Sequence, residues 1–378
     1  MAALSLGDHG GNKTRLVDEG VVKPLVELCR FPNVEVQRSA TLAVASLTVG
    51  PKEKPKLAVM GEEGLLPLIA LAGSQDVEVQ RASTFALGSL GECKEVRAKL
   101  VELGAVGTMV EQGRLASDIE TRRNCGYFLA EISESPEFHD ELVHEGGLKT
   151  LVYHAGLEDD EVQEYAAFSL AHVASNREYQ VPVVKAGALE PLVSMMSVHA
   201  KPRNYAGLAL LKLADNFECH LPIAEAGGVQ ALLRLARSKS SDSELAYKAA
   251  LSVGHLATNA VRLLPKGVLA PKGGFAGDGN TGPGSTGGDA MEVRTAAPRR
   301  RGGAARRGEE AEYRGERLQS APGMSALGSD NMAGGGGGHE SKTGGGAGDL
   351  PVGSIVRTHA EERAKDFLDR ATSRVGGT

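Results

Sequence analysis

Apolar residues in the first 270 positions recur with helical spacing, and short Gly-containing phrases break the pattern at a steady interval. The phrases are Glu19-Gly20-Val21, Glu63-Gly64-Leu65, Leu103-Gly104-Ala105, Glu145-Gly146-Gly147, Ala186-Gly187-Ala188, Ala226-Gly227-Gly228 and Lys266-Gly267-Val268, spaced by 40 to 44 residues. After each comes an apolar run such as Val22-Lys23-Pro24-Leu25-Val26-Glu27-Leu28. Pro24, Pro67 and Pro191 fall just inside these runs, where a helix's first turn tolerates a missing N–H. The preceding Gly supplies the left-handed or tight backbone that ends one helix and reverses the chain. A polar break follows, then a second run: Val34-Glu35-Val36-Gln37-Arg38-Ser39-Ala40, echoed by Val77-Glu78-Val79-Gln80-Arg81-Ala82-Ser83 and Glu161-Val162-Gln163-Glu164-Tyr165-Ala166-Ala167. It continues in Ala and Leu to the end of the unit, so the pattern predicts a short helix, a Gly turn, a middle helix and a long last helix.

None of these helices can bury its apolar stripe alone, whereas stacked copies form one continuous core. The period and the repeated phrases resemble armadillo repeats, the family of β-catenin, importin-α and the vacuolar armadillo protein, and the style is nearest to the vacuolar type. The resemblance covers roughly residues 1–270 and implies an all-α fold, a right-handed superhelical solenoid of about six repeats with partial units at its ends. The start, Ala2-Ala3-Leu4-Ser5-Leu6-Gly7, reads like the end of a last helix, and residues 259–271 begin a seventh unit. The chain is therefore expected to be a piece of a longer array.

Composition divides the 378 residues sharply. Residues 271–353 are rich in Gly, Arg and Pro, with an unbroken run from Gly334 to Gly338. Such a segment buries too little apolar surface to offset its ordering entropy and is read as a disordered linker. Residues 354–378 follow as a tail in which Ile355 to Val375 is predicted to form a short, partly amphipathic helix. Residues 1–270 carry 27 Lys+Arg against 34 Asp+Glu, a balance of −7, so nothing basic overall is present to hold nucleic acid. No apolar run is long enough to span a bilayer, and Met1-Ala2-Ala3 lacks the second-position Gly of an acylation motif. Cys29, Cys93, Cys125 and Cys219 share no spacing and read as reduced thiols packed in helices, which suits a cytoplasmic or nuclear protein.

In armadillo proteins the last helices line a concave groove that binds extended peptides, and importin-α places a Trp and, four residues on, an Asn in each. What the resemblance implies here is a groove whose Trp-type positions are Leu42, Phe85, Tyr127, Phe168, Leu208 and Leu251. Its Asn-type positions are Ser46, Ser89, Glu131, His172, Lys212 and His255. With no Trp in the chain and no Asn ladder, an import-receptor role is disfavoured. One turn earlier stand Arg38, Arg81 and Arg123, then Glu164, Asn204 and Tyr247. Residues four apart share a helix face, so an Arg stripe runs beside a Leu/Phe/Tyr stripe across the first three repeats. That pairing suits an acidic partner segment with interleaved apolar residues. The bland reading, a solvated face copied between repeats, stays open, although Arg near a helix N-terminus opposes the macrodipole.

Catalytic and metal constellations are missing from the sequence: no HExxH, no zinc spacing of Cys and His, no phosphate loop and no G-x-S-x-G turn in an α/β context. No cofactor is expected. Pro298-Arg299-Arg300-Arg301 with Arg306-Arg307 is a basic cluster that reads as a charged linker or a localisation element. The function expected is a non-enzymatic interaction scaffold. A substrate-binding part of a U-box ubiquitin ligase and a membrane-organelle adaptor stay open as alternatives.

Overall fold

A computed structural model describes residues 10–196, 202–237 and 243–263. The chain divides into a repeat unit, residues 1–270 with 349–378, and a second unit, 271–348, which lies outside the described residues. The Gly-rich linker, the 298–307 basic cluster, the tail helix, the partial unit before residue 10 and the Gly267 phrase lie outside them too.

The described residues form eighteen α-helices, three to a repeat, and no strand. Repeat 1 holds α1 (Gly10–Asp18), α2 (Val22–Cys29) and α3 (Val34–Thr48); repeat 2 holds α4 (Glu53–Gly61), α5 (Leu65–Ala72) and α6 (Val77–Gly91). Repeat 3 holds α7 (Lys94–Glu102), α8 (Ala105–Leu115) and α9 (Ile119–Ser133); repeat 4 holds α10 (His139–His144), α11 (Gly147–Ala155) and α12 (Asp160–Val173). Repeat 5 holds α13 (Arg177–Lys185), α14 (Leu189–Met195) and α15 (Pro202–Ala214); repeat 6 holds α16 (His220–Glu225), α17 (Gly228–Ala236) and α18 (Ser243–Leu263). A single 3-10 turn leads into α10 and into α16.

Each first helix turns into the second through one left-handed residue. Gly20, Gly104, Gly146, Gly187 and Gly227 hold φ between 76° and 92°, where an L side chain is strained. Repeat 2 departs from the expectation: Glu63 (φ 57°), not Gly64, takes the left-handed position. Gly64 sits one place later in a tight contact, where a Cβ would come within 2.8 Å of Val26 and Val59. Aligned on the left-handed residue, the period narrows to 40–43 residues.

Last helices pack side by side through the array: α3 on α6, α6 on α9, α9 on α12, α12 on α15, α15 on α18. Large side chains of one helix enter gaps left by small residues of the one before, which permits close approach. Tyr127 of α9 lies against Gly88 of α6, Tyr165 of α12 against Gly126 of α9, and Leu235 of α17 against Gly207 of α15. No helix among the described residues is long and apolar enough to cross a membrane.

Candidate functional site

The most ordered polar feature is a ladder that joins consecutive last helices. Asp76, Asp118 and Asp159 are the N-cap residues of α6, α9 and α12, accepting from the backbone N–H groups of Val79 (3.0 Å), Thr121 (2.9 Å) and Val162 (3.0 Å). An Arg from the preceding repeat forks onto each same carboxylate. Arg38 Nε and Nη2 donate to Asp76 at 2.9 and 2.5 Å, and Arg81 donates to Asp118 at 2.7 and 2.5 Å. Arg123 donates to Asp159 at 3.3 and 2.7 Å. The third guanidinium nitrogen is taken by a Glu three residues earlier on the same helix: Glu35 at 2.8 Å, Glu78 at 3.2 Å and Glu120 at 2.8 Å. A bidentate, charge-assisted pair of this kind is the strong form of the interaction.

Electrostatics follow the geometry. The Arg38 fork holds the Asp76 carboxyl down at about 2, against the opposing effect of burial and with help from the Val79 N–H. Burial alone would raise Asp118 and Asp159, but the Arg fork, the cap N–H and the neighbouring charge together outweigh it and both are lowered. An Arg one turn into a helix is unfavourable beside its own positive end, and the next repeat's capping Asp supplies the compensation.

The arginines expected to reach a partner are thus already engaged, and several of their expected neighbours are internal. Ser46, Phe85, Ser89, Tyr127, Glu131 and Phe168 are buried along the seam between repeats. Ser89 Oγ donates to the Thr48 carbonyl at 2.8 Å, and Glu131 accepts from Arg97 at 2.7 Å. Tyr127 donates to Glu92, which also holds the buried Lys56 ammonium. Leu42, His172 and Lys212 are half-buried, with the His172 ring centroid 4.3 Å from that of Phe168 at a tilt of 38°, and His255 is exposed. The structure therefore groups Arg38, Arg81 and Arg123 into one ladder but does not array the other positions along an open surface.

A second column escaped the sequence reading. The first helices carry one polar residue each at the repeat period: Lys13, Lys56, Arg97, His139, Gln180 and His220, all buried. Most of them donate to carbonyls at the C-terminal ends of last helices. Lys13 donates to Val49 O (2.8 Å), Arg97 to Gly91 O (2.6 Å), His139 Nε2 to Ser133 O (2.8 Å), Gln180 to Ala174 O (3.0 Å) and His220 Nε2 to Ala214 O (2.8 Å). Carbonyls that a helix end leaves unpaired are satisfied this way. The sequence signal was the spacing alone, a donor every 40 to 43 residues, and it was masked by the other charged residues of the same helices, as in Lys94-Glu95-Val96-Arg97-Ala98-Lys99.

A ladder of capped last helices, together with a donor column from the first helices, defines a repeat solenoid held together through contacts between neighbouring repeats. Residues 11–49 match the model of the Armadillo/beta-catenin-like repeat, and the described residues have the fold of an armadillo-repeat solenoid. Among solved structures, an engineered protein (target OR497) is 30% identical over 69% of this chain and 65% of its own, with a TM-score of 0.64. The designed armadillo repeat protein YIII(Dq)4CqI is 25% identical over 62% of this chain and 99% of its own, with a TM-score of 0.57. A designed armadillo repeat protein in complex with the peptide (KR)4 is 24% identical over 62% and 99%, with a TM-score of 0.56. A search of the curated proteins returned no match.

Proposed function

We propose that the repeats form a non-catalytic scaffold that holds an extended partner segment along the ladder, and that the segment carries basic residues with apolar ones between them. The ladder's charge balance carries this reading. Three guanidinium groups face seven carboxylates: Glu35, Asp76, Glu78, Asp118, Glu120, Asp159 and Glu161. With every Arg fork occupied, an acidic segment would meet net repulsion, which reverses the partner chemistry expected from the Arg stripe. Val34, Val77 and Ile119 open α3, α6 and α9, the helices that carry the ladder's arginines, each with an exposed apolar side chain. The basic peptide carried by a designed armadillo protein of the same fold supports the same chemistry.

The test is fluorescence anisotropy of the full chain with labelled (KR)4 and with an acidic peptide of equal length. Tighter binding of (KR)4 is expected, with about a tenfold loss in the Glu35→Gln, Glu78→Gln, Glu120→Gln triple variant, since three exposed charge contacts at about 0.5 kcal/mol each amount to that factor. Preference for the acidic peptide would overturn the partner chemistry.

A further inference from the structure

One place before the Arg38 series, the last helices carry Gln37, Gln80, Arg122, Gln163 and Arg203, spaced by 40 to 43 residues. Two of the glutamines are satisfied inside the array. Gln80 Nε2 donates to Gln112 Oε1 at 2.9 Å, and Gln163 Nε2 donates to the Leu157 carbonyl at 2.6 Å. The two arginines are not. Each has its Nε closed off from solvent without an acceptor, and no carboxylate among the described residues pairs with either guanidinium. Both side chains are half-buried, which leaves the two Nη nitrogens as the end open to a ligand.

Around Arg122 the carboxylates nearest in sequence are already taken: Asp118 is held by Arg81, and Glu120 by Arg123. The guanidinium lies instead over the Tyr153 ring of α11, with Cζ 5.6 Å from its centroid. Tyr153 is 39% exposed, and Ile119, one turn earlier on α9, is 36% exposed. A half-buried polar group without an acceptor is costly, and native proteins keep few of them.

We propose that Arg122 and Arg203 are two carboxylate sites that fix the register of the partner segment, each taking one acidic side chain. At Arg122 an apolar residue beside the acid packs on Ile119 and Tyr153. This register rests on the scaffold reading above: an otherwise basic segment is interrupted by two acidic residues at a set distance. A carboxylate meets a guanidinium through both Nη nitrogens, one charge against one. A doubly charged phosphate would instead add to the ladder's surplus of carboxylates, seven against three arginines. Last helices packed about 8–10 Å apart put the two arginines about 16–20 Å apart. An extended chain rising about 3.3 Å per residue covers that in about five or six residues, and because its side chains alternate faces, six turns both carboxylates the same way.

Fluorescence anisotropy of the full chain tests the two sites with three labelled peptides. They are (KR)4, KREVKRKREVKR with its glutamates six apart, and the permutation KRKREVKEVRKR with them three apart. The six-apart peptide should bind about tenfold tighter than its permutation, two exposed charge contacts contributing about threefold each. In the Arg122→Gln, Arg203→Gln double variant that advantage should vanish. Gln is what repeats 1, 2 and 4 hold at this register, and (KR)4, binding at least as tightly as before, reports that the variant is folded. Equal affinity of the two longer peptides, or an advantage that survives in the variant, overturns the carboxylate sites and, with (KR)4 still bound, leaves the scaffold reading standing. Failure of all three peptides to bind overturns both.

Discussion

At the scale of single residues, two positions hold costs that substitution can expose. Glu63 occupies a left-handed conformation that its five counterparts give to Gly. A non-Gly residue there costs about 1–2 kcal/mol, and the backbone freedom that Gly brings to the unfolded chain offsets about half of that. Glu63→Gly should therefore stabilise the array by about 0.5–1 kcal/mol, read as a higher urea midpoint; a lower midpoint would assign Glu63 a stabilising contact that outweighs its strain. The sequence did not disclose this exception, because a Gly was present one place away. Gly64 was legible as a Gly, but its work is close packing against Val26 and Val59 rather than the turn.

His154 is the second such position. Its Nε2 donates to the Gly113 carbonyl at 2.8 Å in a fully buried site, and burial, with Arg122 nearby, lowers its pKa to about 4. The unfolded chain takes up this proton first, near pH 6.5. The resulting stability is fully present above that pH and is lost as pH falls toward 4, by up to about 3 kcal/mol. His154→Gln keeps an N–H for Gly113 and removes the proton uptake, so urea midpoints measured from pH 7 to pH 4 should fall less steeply than in the parent. Parallel slopes would show that other groups govern the decline.

At the scale of elements, each rung of the ladder combines a helix cap with a bond between repeats, and the two can be separated. Asp118→Asn keeps a capping acceptor for the Thr121 N–H but loses the charge that Arg81 grips, and should cost about 1–2 kcal/mol. Asp118→Ala loses both and should cost about 2–4 kcal/mol. Equal losses in urea denaturation would mean that the fork contributes nothing beyond the cap. Asp118 is lowered in the folded chain, so its contribution is present above about pH 4 and fades on further acidification; the Asn variant should show the shallower acid dependence. Sequence alone displayed both halves of the rung, Arg38, Arg81 and Arg123 at one repeat position and Asp76, Asp118 and Asp159 at another. It did not display their meeting, because they are 36 to 38 residues apart and come together only once the stagger between adjacent last helices is known. The same stagger buries Phe85 and Tyr127, whose i, i+4 alignment with Arg81 and Arg123 says which face they share and not what covers it.

At the scale of the whole molecule, the three-helix unit, its period and its stacking were legible, since Gly phrases and apolar stripes are local signals repeated six times. The surface chemistry was less so, because it depends on which charges neutralise one another across a junction. That dependence reaches further than binding. Every rung takes its Arg from one repeat and its Asp from the next, so repeats 2 and 3 each present an Asp at one edge and an Arg at the other. A copy of either, inserted beside itself, would meet matching partners on both sides. Growth or shrinkage of the array by whole repeats in this region would leave no charge stranded, which makes repeats 2 and 3 interchangeable parts. Repeat 4, which carries Glu164 in place of the Arg, marks where such exchange stops.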